Sequence, residues 1–188
     1  MARPLSEDKR DAILASAAEL VAAWGTSAPT AKIARGAGVA EGTLFTYFPD
    51  KDALLAALFL DIEAELAKAL LGNGPDGASA RDQVRRIWDG FIDWGAAHPA
   101  RRKALRQLKI SDRIGADCRR RSEALFAEFR SVLEEALGGP TGDDQMDYIG
   151  AVLTALAETT LEFIAREPGR HDHHRALGFE TFWKAIAR

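Results

Sequence analysis

From Ile13 to Ile186 the apolar residues of this chain recur three or four positions apart, and nowhere do they alternate at period two through a β-branched run. That spacing builds one-sided helices and leaves a sheet nothing to pair, so the expected fold is all-α, with about nine helices. Ser6 is a candidate N-cap for the first, whose stripe is Ile13, Leu14, Ala17, Leu20, Val21 and Trp24, with Gly25 as its stop. Asp50 can cap a second long helix carrying Leu54, Leu55, Leu58, Phe59, Ile62, Leu66 and Leu70, broken by the run from Gly72 to Gly77. Ser79 can cap the next, which bears Val84, Ile87, Trp88, Phe91 and Ile92 and ends at His98-Pro99. A short basic helix around Arg101 to Ile110 follows. Beyond Gly115 one helix is expected to carry Leu125, Phe126, Phe129, Val132, Leu133 and Leu137 up to Gly138-Gly139-Pro140. A long helix from Asp143 to Arg166 and a last one bearing Phe179, Phe182, Trp183 and Ile186 complete the chain.

Composition matters here mainly for what it excludes. The 188 residues, 47% hydrophobic and 28% charged, are ordinary for a soluble globular protein. A single cysteine, Cys118, closes no internal disulfide and no cysteine-rich zinc site, which suits a reducing cytoplasm. The segment Met1 to Arg10 is charged and lacks the apolar stretch of a signal peptide, and neither a membrane span nor membrane association is expected. A net charge of −3 argues against coating nucleic acid non-specifically, so any contact with DNA has to be focused.

The stretch from Thr30 to Phe48 holds two short helical patterns hinged at Gly38. Ile33, Ala34 and Ala37 give the first an inward face, Val39, Leu44 and Phe48 the second, and Gly38 supplies the left-handed backbone of a sharp reversal. Neither helix is long enough to stand alone, so both are expected to pack on their long neighbours and to present Ala40 to Tyr47 outward. The outward residues Ala40, Glu41, Gly42, Thr43, Thr46 and Tyr47 are small or hydrogen-bonding, as a helix entering a DNA groove requires, while Phe45 either faces DNA or packs back against the bundle. Thr43 and Thr46 can touch a thymine methyl or a phosphate. Glu41 is either a cytosine reader or an acidic residue that the helix dipole favours anyway. Thr30 and Lys32 on the first short helix and Lys51 at the start of the next long one are candidate phosphate contacts.

Thr30-x-x-Ile33-Ala34, then Ala37-Gly38-Val39-Ala40-x-Gly42-Thr43-Leu44-Phe45-x-Tyr47-Phe48, then Lys51-Asp52-x-Leu54 resembles the signature of the tetracycline-repressor (TetR) family. The resemblance spans about a quarter of the chain. It implies an all-helical homodimer with three N-terminal helices for DNA (residues 1–52), a helical effector-binding and dimerisation domain (53–188), and an interface built from the last two long helices. Four departures bear on residue roles, one of them Glu41, which sits where a basic or neutral residue is frequent. Pro29 stands where a capping threonine is frequent, Ala31 where some members place a guanine-reading arginine, and Phe45 where tyrosine is commoner.

In the remainder, Trp88, Phe91, Ile92, Leu108, Phe126, Phe129 and Phe163 describe either a ligand cavity or a filled core, and Glu158 and Thr159 are candidate polar contacts to a ligand or members of a dimer surface. Gly150, Ala151 and Ala155 would let a partner helix approach closely. His171-Asp172-His173-His174 has metal-binding side chains but is read as a solvated loop, and no metal or cofactor is expected. The basic region from Arg101 to Arg121 is read as a solvated face. Together these features point to a ligand-responsive DNA-binding regulator, a repressor released from a pseudo-palindromic operator by a small molecule. The competing readings are a DNA-binding adaptor governed by a protein partner, and a helical enzyme or carrier. For the last of these the chain offers no nucleophile-base pairing, no Glu-x-x-His pattern and no phosphate-cradling glycine loop.

Overall fold

A computed structural model of the chain describes residues 6–71 and 79–187, and among these there is no strand. Ten α-helices follow one another: α1 (Glu7–Trp24), α2 (Thr30–Gly36), α3 (Glu41–Tyr47), α4 (Lys51–Leu70), α5 (Ala80–Ala97), α6 (Pro99–Lys109), α7 (Ala116–Leu125), α8 (Ala127–Ala136), α9 (Asp143–Arg166) and α10 (His171–Ile186). A single 3-10 turn precedes α2 (Gly25–Ser27) and another precedes α10 (Pro168–Arg170). The expected break over Gly72 to Gly77 lies outside the described residues.

Local chemistry accounts for several of the ends. The Asp50 carboxylate accepts the Ala53 amide at 2.7 Å and starts α4. Ser79 and Asp82 cap α5 reciprocally, the Asp82 amide donating to the Ser79 hydroxyl at 3.2 Å while that hydroxyl donates to the Asp82 carboxylate at 2.6 Å. Pro99 opens α6, where its missing N–H is no loss. Gly25 ends α1 at φ +66°, a conformation only glycine adopts without strain.

The chain divides into two compact units, neither continuous in sequence. The first takes the described residues through Ala64 together with His98–Ala124; the second takes Glu65–Ala97 and Leu125–Arg188. The expected division at residue 52 follows the order of the chain, whereas packing groups α6 and most of α7 with the N-terminal helices. In the first unit Ile13, Leu14, Ala17 and Val21 of α1 meet Ala104, Leu105 and Leu108 of α6, and Leu54, Leu55, Leu58 and Ile62 bury the inner face of α4. Each Leu or Ile removed from water contributes roughly 1.5–3 kcal/mol, which is what holds the short α2 and α3 to this frame.

The second unit closes on rings. Trp88 of α5 is fully buried, stacks on Phe182 of α10 at 6.2 Å between centroids, and donates its indole N–H to the Arg175 carbonyl at 3.0 Å. Arg175 in turn donates to Asp89 at 2.6 Å and pairs with Asp93 at 2.9 Å, joining α10 to α5 from outside the core.

Three expectations need correction. Trp24, read as the last residue of the α1 core stripe, is 52% exposed, because it sits where α1 gives way to the turn and Lys32 covers its ring instead. The helix expected to run through Phe126 is interrupted there: Phe126 leaves helical geometry (φ −103°, ψ 11°), and α7 and α8 are separate. The His171 to His174 segment is the first turn of α10 and not a loop, and His174 is buried, its Nε2 3.3 Å from the Glu167 carboxylate and its ring 5.5 Å from that of Phe163. Among the described residues no three metal-binding side chains come together.

Candidate nucleic-acid interface

The turn between α2 and α3 is built as its residues require. Gly38 has φ +68°, and the Gly38 and Val39 amides donate to the Arg35 and Ala34 carbonyls at 3.1 and 3.0 Å, which ends α2 in a left-handed step. A Cβ at Gly38 would meet nothing within 4 Å, so the position needs glycine for its backbone angle and not for space. Below the turn, Ile33, Ala34, Leu44 and Phe48 are buried. The Ser16 hydroxyl on α1 donates to the Ile33 carbonyl at 2.9 Å and ties α2 down.

With Leu44 and Phe48 inside, the helical period turns Ala40, Glu41, Gly42, Phe45 and Thr46 to the outside, and all five are exposed. Phe45 is 40% exposed, facing out and not packing back. Thr43 and Tyr47 are half-buried at the edges of this face. Gly42 has open space where a Cβ would stand, and the Thr46 hydroxyl donates to the Gly42 carbonyl at 3.1 Å.

Two hydrogen bonds lock the outward helix at either end. The Thr30 hydroxyl, on the first residue of α2, donates to the Glu41 carboxylate at 2.6 Å, so two residues 11 apart form a clasp across the N-termini of both short helices. The Ser6 amide donates to the Tyr47 hydroxyl at 3.0 Å, fastening the start of α1 to the end of α3. Nothing in the local pattern pointed to Ser6 as a partner of Tyr47, since a bond across 41 positions has no periodic signature.

Among the candidate cations, the Lys32 ammonium lies 3.7 Å from the Trp24 ring centroid, exposed but steadied by the ring's negative face. Lys51 stands in the first turn of α4. Partial burial lowers its pKa from the ordinary lysine value, the Arg113 guanidinium lowers it further, and Asp52 pulls it back. Asp52 is itself held by Arg113 at 2.6 Å, and with Asp50 capping the same helix the corner carries two cations and two carboxylates. Arg113 comes from the basic region expected to be a solvated face, and it is itself exposed while pairing with Asp52.

The residues expected to line a ligand cavity are spread over both units. Trp88, Phe91 and Ile92 are core residues of α5. Leu108 is buried in α6, in the first unit. Phe126 and Phe129 are half-buried and meet edge to face at 6.3 Å. On α9, Glu158 is half-buried, while Thr159 and Phe163 are exposed, and the Thr159 hydroxyl donates to the Ala155 carbonyl at 2.9 Å.

Two short helices about a left-handed glycine, with the second helix braced from behind and exposed in front, define a helix-turn-helix protein. Residues 13–58 match the family model described as bacterial regulatory proteins, tetR family. The HTH-type transcriptional regulator BetI of Cronobacter sakazakii is 34% identical over 116 residues, which cover 56% of this chain and 57% of that one. A tetR-family transcription regulator from Shewanella sp. PV-4 has the same fold with a TM-score of 0.81 at 25% identity, over 96% of this chain and 98% of that one. LfrR of Mycobacterium smegmatis, solved with proflavine, matches with a TM-score of 0.72 at 19% identity, over 97% and 99%. Residues 13–58 thus carry a tetR-family helix-turn-helix, and the chain as a whole shares the fold of a tetR-family regulator. The chain spans 34% and 57% of the length of the first two curated relatives it matches.

Proposed function

We propose that the chain is a transcriptional repressor that binds a pseudo-palindromic operator as a homodimer and leaves it when a small-molecule effector binds. The observation that carries this reading is the outward face of α3, in which Ala40, Glu41, Gly42, Phe45 and Thr46 stand exposed over a buried Leu44 and Phe48. In a major groove the small N-terminal residues let the backbone approach base edges, Phe45 meets a thymine methyl or a sugar, and Glu41 accepts from cytosine N4. Thr30, Lys32, Thr43, Tyr47 and Lys51 hold phosphates around it. The near-balance of charge at the start of α4 supports a focused grip through Lys51 in place of a broad attractive field.

The second copy is assigned to α9 and α10. Tyr148, Ala151, Ala155, Thr159 and Phe163 of α9 and Leu177 of α10 are all exposed, an apolar and small-residue face of the kind that a two-fold partner covers. By length and composition α9 could also cross a bilayer. Its opposite face, Met146, Ile149, Leu153, Ala157, Leu161 and Ile164, is already in the core of its unit, and a partner helix accounts for the rest. Two α3 helices about 34–36 Å apart would then enter successive grooves. Release needs an effector that favours a different separation, which is a population shift and requires no catalysis. The likeness to LfrR, solved with proflavine, supports a small molecule in that role, with Trp88, Phe91, Ile92, Phe126, Phe129 and Glu158 as the candidate lining, Thr159 and Phe163 going to the dimer face instead. The work is done in the cytoplasm, where the DNA is.

The test is selection of bound duplexes from a random library. A palindromic consensus with half-sites one helical turn or its multiple apart is the expected result. Indifference to every duplex at low salt refutes the reading.

A further inference from the structure

Within the first unit, an open cleft of about 730 Å³ lies between α1, the first half of α4 and the start of α7. Its size is that of small-molecule sites, which run from about 300 to 1,000 Å³. The floor is one face of α4, Ala53, Ala56, Ala57 and Leu60, with Cys118 of α7 beside it donating its S–H to the Ala56 carbonyl at 3.7 Å. The apolar run from Ala53 to Leu60 is about 10 Å long at the helical rise, the length of a medium acyl chain.

The charged rim is unevenly committed. Asp52 is held by Arg113 at 2.6 Å, Asp61 by Arg101, and Asp117 by Arg120 at 3.1 Å, while Asp50 accepts the Ala53 amide. Three of the four rim carboxylates thus face a guanidinium, and Asp50 takes a backbone amide. Among the rim's guanidiniums Arg10 has only Asp11, at 3.8 Å, and Arg121 has no carboxylate partner among the described residues. Gly115 and Asp117 bring the positive end of the α7 dipole to the same wall. Arg121 also acts into the cleft: burial pushes the Cys118 thiol's pKa up, and of the neighbouring charges Arg121 does most to pull it back.

We propose that this cleft binds a small amphipathic carboxylate of medium acyl length, its chain laid on the alanine floor and its carboxylate on Arg121. The site is separate from the candidate cavity residues of the second unit, and binding to it does not depend on DNA.

Octanoate is the probe, compared by calorimetry with octanamide and octylamine on the full chain. In parallel, the rate at which a thiol reagent modifies Cys118, the sole cysteine, is followed with and without octanoate. One octanoate per chain is expected, with slowed modification of Cys118. Octanamide should bind about tenfold more weakly for want of a charge-assisted hydrogen bond, and octylamine more weakly still. Arg121→Gln should cost octanoate about tenfold, and Ala57→Phe, which fills the floor, should abolish both binding and protection, with unfolding midpoints verifying that each variant folds. Octylamine binding as tightly as octanoate, unchanged octanoate affinity in both variants, or Cys118 modified at one rate throughout would each overturn the assignment. If either variant fails to fold, the three probes on the unaltered chain decide. No duplex is present, so a negative result removes the cleft site alone and leaves the regulator reading to answer to duplex selection.

Discussion

The two units reach stability by different routes, and a glycine in each shows the difference. In the second unit Gly178 of α10 is there for space: a Cβ would stand 2.5 Å from Trp88 Cζ2 and would also collide with the Thr160 hydroxyl. In the first unit Gly38 is there for its angle, with nothing near it. At Gly178 the ring-packed core is therefore sensitive to volume and at Gly38 the turn of the first unit to backbone conformation, although space also counts in the first unit at Gly36, where a Cβ would collide with the Ser16 hydroxyl. The first unit even runs a carboxylate through its interior. Glu63 on α4 is 1% exposed and pairs with Lys109 of α6 at 3.1 Å, while Arg119 donates to the Lys109, Ser111 and Ile114 carbonyls and secures the segment after α6.

The largest effect should come from Gly178→Val, which forces Trp88 and α10 apart and should cost about 3 kcal/mol in urea unfolding. A loss under 1 kcal/mol would mean the second unit is looser than its ring stacking suggests. Gly38→Ala should cost about 1–2 kcal/mol through the left-handed backbone alone, with Gly38→Asn recovering part of it. Equal losses for the two would place the requirement in volume after all.

Glu63→Gln tests the charge side. Burial dominates at Glu63 and raises its pKa above the ordinary carboxylate value, with Lys109 opposing. A carboxyl that holds its proton more tightly when folded adds stability that is complete below the unfolded pKa and is lost as pH rises through the folded one. The variant should thus be about 1 kcal/mol more stable at pH 7, and its stability should vary less with pH above the ordinary carboxylate range. Destabilisation at pH 7 would show that the pair with Lys109 outweighs the cost of burying it. Gly42→Ala should have the smallest effect on folding, a gain of at most about 0.5 kcal/mol, because Gly42 lies in the first turn of α3 and nothing stands in the way of a Cβ. If its face enters a groove, the same change should weaken duplex binding in a filter or anisotropy titration; a gain in stability with unchanged binding would separate Gly42 from the interface.

What could be read from sequence was whatever local periodicity and caps control. α9 spans the expected Asp143 to Arg166, Asp50 caps α4, and Gly38 turns the chain where the pattern demanded. The outward face of α3 followed from placing Leu44 and Phe48 inside. The failures lie where a decision belonged to tertiary contacts. Trp24 has the right period for the core, but the chain leaves the helix there. Phe126 looks like one more apolar position in a continuous stripe and is in fact a break. His174 looked solvated until α9 and the turn after it brought Phe163 and Glu167 beside it. Glu63 with Lys109, Arg113 with Asp52, and the cleft beside Cys118 all join residues more than 40 positions apart, and no spacing rule reaches that far.

The clasps at the two ends of α3 differ in which partner is the hydrogen-bond donor, and this has a consequence for any anion that arrives there. At Tyr47 the phenol oxygen accepts a hydrogen bond from the Ser6 amide, so its own O–H is still free to be offered. A phosphate oxygen at that end adds to the existing contact. At Thr30 the hydroxyl already spends its one O–H on the hydrogen bond to Glu41. Any phosphate arriving at that end has to compete with a carboxylate for the Thr30 hydroxyl, and winning it would leave Glu41 without that donor.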